Sequence, residues 1–439
     1  MELYPLIASA AILLLAYIAI GLEKIPKAVV ALLAAGAVFL LKLLSFDKVV
    51  SSIDFNVIFL LIGMMIIVHI TSHTGLFQWI AIKSAKAVNG KPLALLIVFS
   101  LVSAILSALL DNVTTVLLLG PVTLLITQSL RLDPLPFMIS EALASNIGGT
   151  ATLIGDPPNI MIGSAAGLNF LDFIVNLSPV VLVIIVFFLI TIGLIFRKQL
   201  RSTPELTARV MRLDESKAIT NPKLLYKSLA VIVAVIIGFL LHGVFKYEPG
   251  EIAIAGAAVL LLLKGGSPEK TLSEVDWSTI IFFAGLFIVV GATEQAGLID
   301  MLSNGLIHLT GGKLALTAIV LLWGSAFLSS FLDNIPYVAT MIPLVTKLIH
   351  SMATTSTVPN TELEFIWWAL ALGACLGGNG TLVGASANLV LTGISGKSGY
   401  PISFMRFTKY GFPIMIGTLI ISSFYLLLRY YPSVFTHGF

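Results

Sequence analysis

Two Asp-Asn pairs in long apolar runs are the residues of this chain whose types and positions best suit ion chemistry. Asp111-Asn112 returns 222 residues later as Asp333-Asn334. An ionisable side chain in strongly apolar sequence is costly to keep, so it marks a functional site by default. A desolvated aspartate can hold a proton and release it when a cation arrives, and the neighbouring amide can coordinate an ion. The two aspartates are therefore predicted to be exchange groups for protons or cations.

The composition places these pairs in a membrane. Of the 439 residues, 58% are hydrophobic and 11% are charged, whereas soluble domains carry about 25% charged residues. The apolar runs are about 20 residues long, which is the length of a membrane-spanning helix. An all-α polytopic membrane protein is predicted, with the first run, residues 6–20, kept as a span and not removed as a signal peptide. The single cysteine, Cys375, excludes an internal disulfide and a multi-cysteine metal site.

The first half of the chain, residues 1–197, contains the elements that would position the first Asp-Asn pair. Apolar runs predict spans at 3–22, 26–45, 55–72 and 180–196. Residues 93–130 form a run too long for one span, interrupted at Asp111, and predict a re-entrant helical hairpin with that pair at its tip. Residues 136–167 predict a broken helix, because glycines and prolines there interrupt apolar sequence, and non-helical backbone at membrane depth is tolerated where it lines a cavity.

A second half repeats this pattern. After a polar linker at 198–224, residues 225–439 contain a second hairpin at 313–350 and a second broken helix at 364–396. The offset between the halves is 222 residues as far as the second Asp-Asn pair and 229 beyond it, and the seven extra residues are placed within 352–364. Ten spans and two hairpins are thus predicted.

The repeat predicts the topology by counting. With re-entrant hairpins each half has five crossings, an odd number, so the second half is inverted relative to the first. If each hairpin were instead a double crossing, the halves would be parallel repeats. Under the inverted model six of the 25 basic residues fall on one face: Lys42, Lys48, Lys246, Lys313, Lys347 and Arg429. The rest, including Lys27, share the face of the linker, so the linker is predicted to be cytoplasmic and the termini external.

Other polar residues in the spans are open to a structural or a functional interpretation. Asp54 and Asp276 open spans and are interpreted as helix caps. Glu141 is either a proton relay or a member of a structural pair. His69 and His73, at the end of the third span, have a structural reading at headgroup level and a proton-relay reading.

The two halves are not equivalent at the break in the helix. Asp156 of the first half has Ala385 as its counterpart in the second half. One special carboxylate is therefore favoured over a purely architectural repeat.

Three motifs carry a resemblance to a known family. Residues 111–115, 145–159 and 375–388 resemble the branch of the ion-transporter superfamily that holds the arsenite permeases, the NhaD-type sodium-proton antiporters and the pink-eyed-dilution P proteins. The resemblance covers almost the whole chain. It implies a secondary transporter, commonly a homodimer, in which a transport domain moves against a scaffold. An arsenite-type carrier would also imply a soluble ATPase partner.

The resemblance also bears on the substrate. Sodium-coupled dicarboxylate carriers of the wider superfamily have Ser-Asn-Thr at the two hairpin tips, where sodium and the substrate carboxylate bind. Here aspartate replaces that serine at Asp111 and Asp333, while Asn112 and Asn334 match the family asparagine. Two added negative charges repel a dianion but suit cation-proton exchange or proton-coupled export of a neutral metalloid hydroxide.

The expected function is alternating-access, proton-coupled export of arsenite across the plasma or inner membrane of a prokaryote, and not an enzymatic reaction. Sodium-proton antiport and the carriage of an organic anion such as citrate are the alternatives, and a channel is disfavoured. No cofactor is expected besides H⁺ or Na⁺ as coupling ion, and no nucleic acid partner. Glu141 is a possible proton relay. The predicted substrate- or ion-binding residues are Asp111, Asn112, Thr114, Thr115, Asn146, Gly148, Gly149, Thr150, Asp156, Asn159, Asp333, Asn334, Gly378, Asn379, Thr381, Ser386 and Asn388.

Overall fold

The computed structural model describes residues 3–200, 202–355 and 360–429, and within these ranges every regular element is helical. The helices of the first half are α1 Leu3–Gly21, α2 Lys27–Leu40, α3 Phe46–Ser52, α4 Phe55–Ser72, α5 Leu76–Ala87, α6 Pro92–Leu109, α7 Asn112–Ser129, α8 Leu135–Gly149, α9 Pro157–Ala166 and α10 Phe170–Phe196. The linker holds α11 Pro204–Met211. The helices of the second half are α12 Pro222–Phe245, α13 Pro249–Lys264, α14 Pro268–Ser273, α15 Trp277–Gln295, α16 Leu298–Thr310, α17 Leu314–Phe331, α18 Asn334–Thr355, α19 Asn360–Gly377, α20 Ser386–Lys397 and α21 Phe404–Arg429.

Many of these helices are long and apolar enough to cross a bilayer. By length and composition, nine of those in the described ranges qualify: α1, α4, α6, α7, α10, α12, α15, α17 and α21. Three of them, α6, α7 and α17, are arms of the predicted hairpins. Large apolar side chains such as Leu182 and Leu262 project outward with 68% and 83% of their surface exposed, as lipid-facing residues do. The predicted all-α polytopic membrane fold is confirmed.

Both predicted broken helices are present. In the first half, α8 ends at Gly149, seven residues without helix follow, and α9 begins with Pro157-Pro158. In the second half, α19 ends at Gly377 and α20 begins at Ser386 after one short 3₁₀ turn. Proline is tolerated at a helix start because its missing N–H has no partner there. The sequence of each break therefore ends one helix and starts the next.

Glycine lets each hairpin lie directly against the broken helix that follows it. A Cβ on Gly148 would lie 2.1 Å from the carbonyl oxygen of Ala104, and one on Gly377 would lie 2.6 Å from that of Ala326. Ser107 donates to the carbonyl of Ser145 at 2.6 Å, and its counterpart Ser329 donates to Ala374 at 2.7 Å. The two halves thus repeat their contacts at the sequence offsets of 222 and 229.

Several element boundaries differ from the sequence prediction. Short helices α3, α5, α11, α14 and α16 were not predicted, because they are too short or too polar to give a spanning signal. Helix α10 begins at Phe170 and not at 180, since Asn169 and Asp172 form a capping box ten residues earlier. Helix α2 ends at Leu40 and not at 45. Part of the insertion placed at 352–364 lies outside the described residues.

The two aspartates interpreted as caps do cap helices. The Asp54 carboxylate accepts from the N–H of Val57 at 3.1 Å, and Asp276 accepts from the N–H and hydroxyl of Thr279 at 3.2 and 2.6 Å. Each thereby satisfies a free donor at the first turn of α4 or α15.

The linker lies against the first half. Lys86 of α5 donates to Glu215 at 2.5 Å and to the carbonyl of Leu213 at 3.2 Å. The hydrogen bond from the Lys86 ammonium holds the pKa of Glu215 below its usual value. Gly75 adopts φ +83°, and a Cβ there would lie 1.7 Å from the carbonyl oxygen of Ala218, so only glycine fits where the linker crosses this turn.

Candidate functional site

Four asparagine side chains join the two halves at the centre of the protein. The amide of Asn112, at the first hairpin tip, donates to the oxygen of Asn146 on α8 at 3.1 Å. Asn146 in turn donates to the oxygens of Asn379 and Asn388 at 2.9 and 3.0 Å. All four are buried. Residues up to 276 positions apart in the sequence therefore form one hydrogen-bonded unit.

The second hairpin tip reaches the break of the first half. The amide of Asn334 donates to both carboxylate oxygens of Asp156 at 3.2 and 3.1 Å, and both side chains are buried. Asp156 is the carboxylate without a counterpart in the other half, and it caps no backbone N–H of α9. The second hairpin therefore contacts a carboxylate that only the first half possesses. This contact is consistent with the difference between the two half-sites that the sequence indicates.

Asp333 is held by two side chains. Lys27, at the start of α2, forms an ion pair with its Oδ2, and Ser386, at the start of α20, donates to the same oxygen at 2.6 Å. Lys27 also donates to the Ser386 hydroxyl at 2.9 Å. The Asp333 side chain is 2% exposed and that of Lys27 is 25% exposed. Lys27 and Ser386 border a cavity of about 220 Å³ that is also lined by Ser278 and Thr279 at the start of α15.

Asp111 has a different environment from its counterpart. It is half-buried, precedes the first turn of α7 and accepts from the N–H of Thr114 at 2.8 Å. No lysine or arginine forms an ion pair with it among the described residues. Close by in the sequence, Asn112 Oδ1 and Thr115 Oγ1 are buried without a hydrogen-bond partner. The first tip thus has unused acceptor atoms, which are costly to bury unless a ligand, ion or water satisfies them.

Other predicted binding residues hold the backbone of the breaks. The Asn159 amide donates to the carbonyls of Gly149 and Thr152 at 3.4 and 2.9 Å. The Asn388 amide donates to those of Gly378 and Thr381 at 2.8 and 3.1 Å. These equivalent hydrogen bonds hold the backbone of the two breaks in place. The amide N–H groups of both asparagines are therefore already used within the protein.

The remaining predicted residues are also engaged in packing. A Cβ on Gly149 would lie 2.3 Å from the carbonyl oxygen of Gly155, so this glycine permits close approach across the break. The hydroxyl of Thr150 donates to the carbonyl of Asn146 at 2.8 Å, and that of Thr381 donates to the carbonyl of Ser330. Their predicted contact with an ion or substrate stays a prediction.

Glu141 lies outside this hydrogen-bonded centre. It is fully buried between α7 and α8, where its Oε1 accepts from the Thr123 hydroxyl at 2.5 Å and its Oε2 has no partner. No basic residue pairs with it in the described part of the chain. It is thus not half of an ion pair, and the relay role stays a prediction.

Lys27 is the residue that the sequence interpretation missed. It was counted among the basic residues that line the cytoplasmic face, whereas in the structure it enters the site and pairs with Asp333. The Asp333 carboxylate is therefore compensated by a cation that the sequence interpretation does not include in the site. A signal was present in the sequence: Lys27 follows Pro26 at the start of an apolar helix, where a free cation opposes the helix dipole.

The arrangement defines a class of protein. Two hairpin tips and two helix breaks surround a shared cluster of three aspartates, one lysine and several amides inside a helical membrane protein. Discontinuous helices that meet in this way are characteristic of secondary transporters. The fold and the site therefore indicate a membrane transporter.

Comparison with known protein families agrees. Residues 17–373 match the model of the citrate transporter family, CitMHS, and the chain belongs to this family. An uncharacterized transporter of Mycobacterium tuberculosis is 44% identical over 429 residues, which cover 97% of this chain and 99% of that protein. A 46 kDa membrane protein of Mycobacterium leprae is 42% identical over 95% of this chain and 97% of its own length.

The human P protein is 35% identical over 463 residues. The match covers 88% of this chain but only 55% of the P protein. The resemblance to the P-protein branch of the ion-transporter superfamily is thereby confirmed. The protein is a transporter, as the sequence predicted.

Proposed function

We propose that this protein is a proton-coupled secondary transporter that works by alternating access. The observation that carries the proposal is the Lys27–Asp333 ion pair beside a cavity. A proton on Asp333 removes the charge that holds the Lys27 ammonium. Lys27 is then free to bind an anionic group of a substrate, or to withdraw from the tip. Proton binding and substrate binding are linked in this way through one side chain.

The same pair links two proposed moving parts. Lys27 belongs to α2, one of the spans proposed to form a scaffold, and Asp333 belongs to a hairpin proposed to move with the broken helices. The hydrogen bonds among Asn112, Asn146 and Asn379 support movement of the hairpins and broken helices as one body. Neutralising Asp333 removes a contact between scaffold and transport domain. In this proposal the protein is a homodimer with a cytoplasmic linker and external termini.

The substrate has three candidates. Arsenite, carried as its neutral hydroxide, is the expectation from the sequence, and the carboxylates of Asp111 and Asp156, which form no ion pair among the described residues, can accept its O–H groups. Na⁺ in exchange for H⁺ is consistent with a centre that holds three carboxylates and a single lysine, which pairs with Asp333. Citrate is favoured by the family model and by Lys27, since the objection that both tips add negative charge no longer applies to Asp333. Among the three, the ion pair gives citrate the most direct support.

One experiment tests both the coupling and the substrate. Purified protein is reconstituted into vesicles that contain a pH-sensitive dye, and arsenite, Na⁺, Li⁺ or citrate is added outside. We expect a proton flux with one of these substrates, strongly reduced in Asp111→Asn and in Asp333→Asn. Asp300→Asn is the matched control, because Asp300 forms an exposed ion pair with Lys347 at 2.7 Å away from the centre.

The outcomes separate the candidates. Normal proton flux in both site variants would exclude carboxylate exchange at the tips. Substrate flux without proton movement would exclude proton coupling, and flux with arsenite or Na⁺ alone would exclude citrate. Counterflow of labelled substrate distinguishes a carrier from a channel.

A further inference from the structure

Three metal-ligand side chains converge near the end of α4, far along the chain from both hairpin tips. The Nε2 atoms of His69 and His73 lie 3.1 Å apart. Glu274 Oε2 lies 2.6 Å from the first and 3.2 Å from the second. Among the described residues, these three form the group of histidine, cysteine and acidic side chains with the spacing of a metal site.

The fold presents this group to solvent. His69 and His73 are one turn apart, so they share a face at the end of α4. Glu274 follows α14 in the second half. The side chains of His69, His73 and Glu274 are 33%, 51% and 25% exposed, so a dissolved ion can reach them.

The positions of the three atoms fit a small cation better than they fit protons alone. A proton on each Nε2 would allow both rings to donate to Glu274, but would bring two N–H groups together at 3.1 Å. Zn²⁺ bonds nitrogen and oxygen at about 2.0–2.2 Å in a tetrahedron, which separates neighbouring ligand atoms by about 3.4 Å. Two of the observed separations, 3.1 and 3.2 Å, need to widen by about 0.2–0.3 Å to reach this value, and the third, 2.6 Å between His69 and Glu274, by about 0.8 Å.

The surroundings set limits on the affinity. Lys264 is the positive charge that acts on both His69 and Glu274, and it opposes a bound cation. Its ammonium donates to Thr271 at 2.5 Å, which directs it to another partner. Structural zinc sites have four protein ligands, whereas here one of the four positions is taken by water. We therefore expect a reversible site and not one required for folding.

We propose that His69, His73 and Glu274 bind a divalent transition-metal ion of the Zn²⁺ type, with water as the fourth ligand. The ion joins the end of α4 in the first half to the segment between α14 and α15 in the second. The linker lies beside the site, because Thr220 donates to the carbonyl of His73 at 2.7 Å. No hydrogen bond or ion pair among the described residues joins these three side chains to the Asp-Asn centre, and the proposal does not depend on the proposed transport function.

Metal binding to purified, chelator-treated full-length protein tests this proposal. Zn²⁺ is titrated calorimetrically, and Co²⁺ is added to a second sample to record the visible absorption of tetrahedral coordination. We expect one Zn²⁺ per chain. Removing a residue that only supports a ligand typically lowers the metal affinity 10–100-fold. The variants His73→Gln and Glu274→Gln each remove a ligand itself, so we expect each to lower the Zn²⁺ affinity about 100-fold or more.

A histidine outside the proposed site provides the control. His308→Gln removes an exposed histidine in α16 and is expected to leave Zn²⁺ binding unchanged. No Zn²⁺ binding by the wild type, or equal binding by the wild type and the Glu274→Gln variant, would overturn the proposal. A glutamine variant that does not fold is replaced by His69→Asn, which tests the same ligand set. Failure here leaves the proton-flux experiment unaffected.

Discussion

At the scale of single residues, charge compensation distinguishes the two aspartates of the repeat. Asp333 has a lysine and a serine on one oxygen and the N–H of Ile335 on the other at 3.0 Å. Asp111 accepts from the N–H of Thr114 in its own helix and forms no ion pair among the described residues. Two residues that are equivalent in sequence therefore differ in charge environment, because Lys27 reaches only one of them.

Removing one partner of the Lys27–Asp333 pair is predicted to destabilise the protein more than removing both partners. Lys27→Met leaves the Asp333 carboxylate buried without its cation, at a cost of about 1–3 kcal/mol of stability. The double variant Lys27→Met/Asp333→Asn removes both charges and is expected to recover most of that loss. Thermal unfolding of the detergent-solubilised protein measures the difference.

Proton-coupled flux provides a second measurement on the Lys27 and Asp333 variants. Both the single and the double variant are expected to lack proton-coupled flux, since neither holds both groups. Equal stability of Lys27→Met and the wild type would show that the ion pair does not compensate Asp333. Full flux in the double variant would show that the pair is not the coupling element.

At the scale of elements, close backbone packing sets the position of each hairpin tip. Gly148 allows α6 to lie against α8, and Gly377 allows α17 to lie against α19. Small residues at helix contacts are a common means of bringing helices together within a membrane. The tip and the break are adjacent because of these contacts, which makes the glycines structural requirements of the site.

Gly148→Ala is therefore predicted to damage the protein without touching the polar centre. Its Cβ would lie 2.1 Å from the Ala104 carbonyl oxygen, so α6 and α8 must separate, at a cost of about 1–3 kcal/mol. Gly193→Ala in α10 is the matched control, because a Cβ there meets no atom within 4 Å. The control is expected to gain up to about 1 kcal/mol from helix propensity. Thermal unfolding compares the two, and equal Tm values would contradict the packing argument.

At the scale of the whole molecule, the hydrogen bonds between Asn334 and Asp156 place the second tip at the first break. Helix α9 continues for ten residues past that break, so the tip lies at the junction of α8 and α9 and not at an outer end of the broken helix. The hairpin arms, with 18 residues in α6, α7 and α17 and 22 in α18, are long enough to cross a bilayer at about 1.5 Å per residue. The position of the tip, and not the arm length, supports re-entrant hairpins.

The inverted topology predicts labelling from opposite sides. Gln128 and His350 occupy equivalent positions, 222 residues apart, at the ends of the two hairpins, and both side chains are exposed. Single cysteines placed there in a Cys375→Ser background are treated with a membrane-impermeant thiol reagent in intact cells and in inverted vesicles. We expect Gln128→Cys to react from the cytoplasm and His350→Cys from outside. Reaction of both from one side would establish parallel halves.

The sequence by itself determined the helical membrane fold, the repeat and the two broken helices. These features rest on apolar run length, on an offset that recurs along the chain and on glycine and proline positions, all of which are properties of local sequence. Asp54 and Asp276 were recognised as caps for the same reason. The family resemblance followed from three contiguous motifs.

Only the tertiary structure decided which polar residues meet. Lys27 lies 306 positions from Asp333, and Asn146 lies 242 positions from Asn388, so no local pattern links them. The positive-inside rule assigned Lys27 to the cytoplasmic surface because it counts charges by loop and cannot register that a flexible side chain reaches a buried partner. The same holds for His69, His73 and Glu274, which converge because the end of α4 meets the segment before α15. Contact between distant elements depends on how the helices pack, and that information is absent from any single stretch of the chain.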